Sequence, residues 1–290
     1  MPEDAEAASA WQHANRDWWE NHPMRYDWKG GITQEEFSKG FYQEIDQRFF
    51  HSAQQFLPSA CIPFDSLIDY KALRSLCVLE IGTGNGSHAQ LLAEHAGSYT
   101  GIDITEYAVK STSTRLKLLG ISATVVRMDA ERMEFPDNSF DFIWSWGVIH
   151  HSSNTRNVLR EMHRVLRPGG KAVTMVYYRG WWCYYICSGL VYGVVKGDLF
   201  KTRSLHATVQ RLTDGALARY YTPDGWTVEV EQYFQTNRQF IVGAKAELVP
   251  FPGGRLKEGV LRLIPDAVGR FFTNSCRMGS MLISSMDVRK

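Results

Sequence analysis

Between Val78 and His88 the sequence reads VLEIGTGNGSH, an apolar run carrying Glu80 and then glycines at 82, 84 and 86 around Thr83. Glycines on alternate positions allow a tight turn through positive φ, and their bare backbone lets a ligand lie against the chain. Ser87 then opens a helix whose N-terminus offers free amides. Gly84, Gly86 and Ala89 fit the G-x-G-x-x-A of dinucleotide binders. Glu80 argues against that ligand, because a carboxylate on the lip of the turn repels a pyrophosphate and attracts an ammonium group. Asp103 follows at about 20 residues, the spacing at which an acid accepts hydrogen bonds from a ribose diol in either reading. Asp129 and Ala130 come next, with the carboxylate as acceptor for a ring amino group and Ile104 and Met128 to sandwich the ring. Farther on stand Ser145, Trp146, His150 and His151. An imidazole with pKa near ~6.5 can take a proton from a hydroxyl near neutral pH. His150 is the first choice for such a base and His151 the second, with ordering of the loop as the alternative role. Of the histidines after the turn, one of His88 and His95 falls near the ligand and the other in solvent. No His/Asp cluster at ligand spacing surrounds these residues, so no metal is expected.

Positioning these groups calls for a scaffold whose strands all end on one side. From Leu76 to Tyr178 short apolar runs alternate with helix-like stretches, the signature of a parallel sheet with crossover helices. The strands are expected at 78–81, 98–104, 123–130, 140–146 and 171–178. The spacing of Val158, Leu159, Met162, Val165 and Leu166 predicts one apolar helical face, capped by Asn154 and ended by Pro168-Gly169-Gly170. Ligands of such sheets sit at the carboxyl ends of the strands, where the residues above fall.

Residues 1–70 are crowded with aromatics, and Phe41, Ile45 and Phe49 share a helical face, which predicts a helical cap. Trp18, Trp19, Tyr26 and Trp28 are candidates to close over the site and wall a substrate, against the alternative that they are the cap's own core. Residues 71–290 then form the main domain, with an insertion at 179–222. The apolar run Gly180–Val195 is shorter than the ~20 residues that span a bilayer. It shapes a substrate pocket, touches a membrane surface or forms a subunit contact. A helix is expected near 204–220, a strand at TVEVEQYF (227–234) and another in RMGSMLISSM, the last two completing a seven-stranded sheet.

The composition narrows the partners. A hydrophobic content of 44% and a charged content of 22% are globular values. A net charge of +1 offers no footprint for nucleic acid. Five scattered cysteines form neither a disulfide framework nor a zinc motif, and with no basic, apolar leader at the start they point to reduced thiols in a cytoplasm.

The strings VLEIGTGNGSHAQLLA, GIDIT, DAERMEFPDNSFDFIWSWGVIHH and VLREMHRVLRPGG, over about residues 70–180, resemble the class I S-adenosylmethionine-dependent methyltransferases. The likeness is to the branch with the ubiquinone and menaquinone C-methyltransferases and many natural-product enzymes. It implies a Rossmann-like doubly wound α/β fold. It also implies a loop of Glu80, Gly82, Gly84 and Gly86 on the methionine part of S-adenosylmethionine, Asp103 on the ribose, and Asp129 and Ala130 bordering the adenine. The D/N/S-P-P-Y/F/W string of enzymes that methylate base amines is absent after the fourth strand. Expected is methylation of a hydroxyl or amine of a small, largely apolar or lipid-like acceptor, walled by Tyr26, Trp28, Trp146 and Tyr178. C-methylation of a quinone or prenyl chain is the alternative within the class; an NAD-dependent oxidoreductase and a non-catalytic scaffold are the alternatives outside it.

Overall fold

The computed structural model describes residues 5–27, 30–250 and 254–290; Trp28 lies outside the described residues. β1 (Cys77–Ile81), β2 (Ser98–Asp103), β3 (Thr124–Arg127), β4 (Phe140–Trp146) and β5 (Leu166–Tyr178) run parallel, and β6 (Tyr220–Tyr221), β7 (Phe234–Val242) and β8 (Met281–Val288) follow them. The sheet order is β3-β2-β1-β4-β5-β8-β7, with β8 antiparallel to both neighbours. The doubly wound sheet is as expected, with β6 as an eighth strand that pairs the end of β5 off the main path. β1 is buried on both faces, which is why its residues read as a continuous apolar run and not as an alternation.

α1 (Ala5–Asn21) and α2 (Lys39–Phe56) precede the sheet, while α3 (Ser87–His95), α4 (Glu106–Leu118) and α5 (Thr155–Val165) are its crossovers. In α5 the predicted face is buried and Asn154 caps the start by accepting from Asn157 N at 3.3 Å. The helix stops at Val165, ahead of the expected Pro-Gly-Gly, because Leu166 already pairs with Phe140 of β4. In α2, Phe41, Ile45 and Phe49 turn inward as their spacing required, and Phe56 is buried with them.

Two expectations fail beyond Tyr178. The TVEVEQYF strand is instead the end of a helix, Pro223–Val230, and the strand begins at Phe234. Thr222 caps that helix by accepting from Gly225 N at 3.1 Å, Pro223 fits its first turn, and Trp226 and Val230, four apart, are fully buried. These end signals outweigh a short alternation. The helix expected at 204–220 covers only Leu205–Gln210, and Gly215 turns the chain at φ 90°. The apolar run winds into a wide helix with π-type bonding, Trp181–Tyr192.

Candidate active site

The glycine turn is a close-fitted piece of backbone. At Gly82, with φ 82°, a Cβ would lie 2.1 Å from Val148 Cγ2, so the turn and the loop after β4 touch only because that atom is missing. At Gly84, φ 51°, a Cβ would meet nothing, and this glycine faces open space. Gly86 caps α3 and does not line the cavity; α4 packs closely behind it. Arg115, 2% exposed, holds the turn from behind: it donates to Asn85 O at 3.3 Å and Gln90 Oε1 at 2.7 Å, and pairs with Asp46 of α2.

In front of the turn lies a cavity of about 430 Å³, within the range of small-ligand sites. It runs along the carboxyl ends of β1, β2 and β4, as the sheet rule requires. Asp103 Oδ2 accepts from Gly84 N at 3.2 Å, and its Oδ1 from Thr105 N at 3.0 Å and Oγ1 at 2.8 Å. Burial pushes this carboxyl above its usual value, which the bonds from Thr105 and Gly84 partly offset. Thr83, Ile104, Met128 and Ala130 line the same end. Asp129 lines it too, its Oδ1 accepting from Glu131 N and from Gln12 Nε2 of α1, each at 2.9 Å.

Glu80 departs from expectation. Its carboxyl is 1% exposed, accepts the Tyr99 hydroxyl at 2.6 Å and does not line the cavity. Burial raises it to about 8, so near neutral pH it is largely an uncharged acid and presents no anion to a ligand. Its place in the middle of the sheet, on β1 between β2 and β4, is the physical reason.

Strand alternation sorts the next candidates. On β4, Trp146 lines the cavity and stacks on Trp144 at 5.4 Å, whereas Ser145 points the other way and donates to Ile81 O at 3.4 Å. On β5, Met175 and Tyr177 line the cavity, and Tyr178 is turned into the core. Of the two histidines, His150 is fully buried with its ring 3.9 Å from Tyr177 and does not reach the cavity; His151 lines it. His151 Nδ1 lies 2.8 Å from Leu217 O, which fixes that nitrogen as the donor and leaves the lone pair on Nε2. Burial lowers its pKa to about 4, against a smaller upward pull from that bond, so the ring is neutral near pH 7.

The N-terminal segment covers the cavity. Besides holding Asp129, Gln12 accepts from Ser153 N at 2.9 Å, and Asn85 Nδ2 donates to Met24 O at 2.7 Å. Glu20 accepts from Glu106 N at 2.8 Å and Tyr107 N at 3.0 Å, a carboxylate on the N-terminus of α4. Trp19 meets His151 edge-on at 5.0 Å and Tyr26 stacks on Phe49 at 4.8 Å, both lining the cavity, while Trp18 stacks on His22 outside it. His88 lines it from α3 inside an aromatic box with Phe64 at 4.8 Å and Trp144 at 5.1 Å, whereas His95 bonds Leu91 O on its own helix. Gln12, Asn15, Tyr177 and Glu247 are lining residues that no motif announces. Only the aromatic density of residues 1–70 and 177–185 hinted at such walls.

A nucleoside with an amino-acid arm fits this lining. Asn15 Oδ1, Thr83 Oγ1, His88 Nε2 and His151 Nε2 are buried without a partner, and all four residues line the cavity. A buried polar atom left unmet costs about 1–3 kcal/mol, so a polar ligand there relieves a cost the fold already carries. Among the described residues no group of three or more His, Cys, Asp or Glu is placed to hold a metal.

Residues 79–174 match the family model described as Methyltransferase domain. Over 95 residues the chain is 40% identical to the phthiotriol/phenolphthiotriol dimycocerosates methyltransferase of Mycobacterium tuberculosis, covering 32% of this chain and 34% of that protein. It is 37% identical over 97 residues to the 27-O-demethylrifamycin SV methyltransferase of Amycolatopsis mediterranei (32% and 36%). To the ubiquinone/menaquinone biosynthesis C-methyltransferase of Cupriavidus necator it is 35% identical over 107 residues (36% and 44%). The chain thus spans about a third of the length of the first curated relatives it matches. In fold it resembles the S-adenosylmethionine-dependent methyltransferases of Mesorhizobium loti (TM-score 0.52, 15% identity, 77% of this chain, 95% of that one) and Aquifex aeolicus (0.50, 15%, 88%, 100%). Residues 79–174 thus form a methyltransferase domain, on a sheet whose fold is that of the S-adenosylmethionine-dependent methyltransferases it resembles.

Proposed function

We propose that the chain transfers a methyl group from S-adenosylmethionine to a hydroxyl of a small, largely apolar or lipid-like acceptor, with His151 taking the proton. In this reading Gly82, Thr83 and Gly84 hold the methionine arm and Asp103 accepts from the ribose diol. Ile104, Met128, Asp129 and Ala130 surround the adenine. When bound, S-adenosylmethionine supplies an electrophilic methyl carbon next to a positive charge.

His151 carries the reading. Its ring lines the cavity, and with Nδ1 committed to Leu217 O the lone pair is on Nε2, which has no hydrogen-bond partner. Burial makes the protonated ring costly, so the proton moves only as the hydroxyl oxygen gives its electrons to the methyl carbon and its own proton grows acidic, which couples deprotonation to attack. Trp19, Tyr26 and Trp146 exclude water, hold the acceptor in line and turn π-faces toward a cation. The relatives named for phthiotriol and phenolphthiotriol dimycocerosates and for 27-O-demethylrifamycin SV support a small-molecule or lipid-like acceptor. C-methylation is the second reading, favoured by the identity to the Cupriavidus necator enzyme.

Calorimetry with S-adenosylhomocysteine, followed by labelled-methyl transfer to a panel of alkylphenols, polyketide alcohols and quinols, tests this. Expected are binding of S-adenosylhomocysteine and label on oxygen; label on carbon selects the second reading. Binding of NADH with none of S-adenosylhomocysteine overturns both.

A further inference from the structure

We infer that one face of the molecule, formed by residues 181–211 and 254–277, docks on an anionic lipid bilayer. The two stretches are neighbours: Trp181 Nε1 donates to Cys276 O at 3.3 Å, and the charge of Lys257 acts on the Cys183 and Cys187 thiols. Most of the large apolar side chains exposed among the described residues fall in them, with Leu263 at 83%, Leu256 at 72%, Phe200 at 69% and Val195 at 67%. The helix Arg255–Leu263 carries Leu256 and Leu263 beside Arg255 and Arg262 and buries none of its residues, and those two leucines are its most exposed apolar side chains.

Charge identifies the occupant. Residues 181–211 hold four Lys or Arg and one Asp; residues 254–277 hold five Lys or Arg, one Glu and one Asp. This face is strongly positive in a chain of net charge +1, so the remainder is negative. A second copy docking face to face would set these like charges against each other. An anionic bilayer surface receives the apolar groups at its interface and pairs the basic residues with headgroups, each contributing about 1 kcal/mol. Trp181, half exposed, is of the type that settles at that boundary. Among the described residues no helix is long and apolar enough to cross a membrane, which fits docking on the surface. The inner side of the same face touches the cavity wall. Trp182 Nε1 donates to Glu247 O at 2.9 Å, Cys183 Sγ to Glu247 Oε2 at 3.4 Å, and Glu247 lines the cavity. Docking would hold the acceptor end of the cavity close to dissolved lipid.

Co-sedimentation with vesicles tests this without any methyl transfer, so its outcome is separate from the proposed activity. The chain is expected to bind phosphatidylglycerol-containing vesicles about tenfold or more tightly than pure phosphatidylcholine ones, and to release in high salt. Leu256→Asp with Leu263→Asp is expected to weaken that binding at least about tenfold with the melting temperature unchanged. Leu256→Ala with Leu263→Ala gives a smaller loss in the same direction if the charged pair perturbs folding. Absence of binding to the anionic vesicles overturns the inference, as does undiminished binding of both double variants. A dimer in sedimentation velocity that the same substitutions dissociate assigns the face to a second copy and overturns it as well.

Discussion

The two walls of the cavity are made differently. The wall from Val78 to Ala130 consists of turns at strand ends, and its acids are held largely from within one stretch of the chain: Gly84 N and Thr105 donate to Asp103, and Glu131 N to Asp129. The opposite wall is assembled from α1, the loop after β4 and residues beyond Tyr178. Its bonds reach from Gln12 to Ser153, from Met24 to Asn85 and from His151 to Leu217. The first wall presents backbone and carboxylates, groups suited to a ligand shared by many proteins. The second presents rings and a neutral imidazole, groups suited to an acceptor particular to this one. In the proposed reading the cofactor is held mostly by the strand ends of one module, and the acceptor by segments far apart in the chain.

Loss of a side chain from each wall should have separable effects. The largest is expected from His151→Ala, which removes the proposed base and should lower turnover by about 10²–10⁴ while S-adenosylhomocysteine affinity stays within about twofold. Single-turnover rates and calorimetry on one preparation check this, and an unchanged rate would return His151 to a structural role. Next comes Glu80→Gln. The folded carboxyl titrates near 8 and the unfolded one near its usual value, so between those pH values the folded chain holds a proton that the unfolded chain has released. Stability from this group is therefore full at low pH and lost as pH rises toward about 8. The amide keeps an acceptor for Tyr99 and does not titrate. Denaturation midpoints should accordingly lose a fall that amounts to as much as about 5 kcal/mol, at about 1.36 kcal/mol per unit. S-adenosylhomocysteine affinity should change little; a large loss would restore Glu80 to the binding surface.

Asp103→Ala should weaken S-adenosylhomocysteine by about 1.5–3 kcal/mol, the worth of charge-assisted bonds to a diol, with turnover at saturation much less affected. The smallest effect belongs to the bridge between the walls. Gln12→Ala removes the bonds to Asp129 and Ser153 N and should cost about 0.5–1.5 kcal/mol, read as faster cofactor dissociation in stopped flow. A loss as great as that of Asp103→Ala would mean that the N-terminal helix binds the ligand itself.

Much of the first wall could be read in advance. Gly82, Thr83, Gly84, Asp103, Ile104, Asp129 and Ala130 all line the cavity, because strand-end positions in a parallel sheet are dictated by short-range pattern. Errors there were of direction. Ser145 and Tyr178 sit one residue away from Trp146 and Tyr177, and a period of two sends such neighbours to opposite faces. Tyr26 and Trp19 reach the second wall as aromatic residues of the N-terminal segment, but nothing in their spacing distinguished them from Trp18, which does not.

What the amino-acid sequence by itself determined is the doubly wound sheet, the presence of its first five strands and the glycine turn with Asp103 beside it. These follow from apolar periodicity and from backbone freedom at a few residues, both of which act over a few positions. Only the tertiary structure decided that Glu80 is buried against Tyr99, with its carboxyl pushed up by burial, and that His151 rather than His150 lines the cavity. It alone brought Gln12 to Asp129 and Glu247 to the far wall. The reason is physical: the charge state and aim of a side chain are set by whatever packs around it, and here those neighbours come from segments that meet only when the chain is folded.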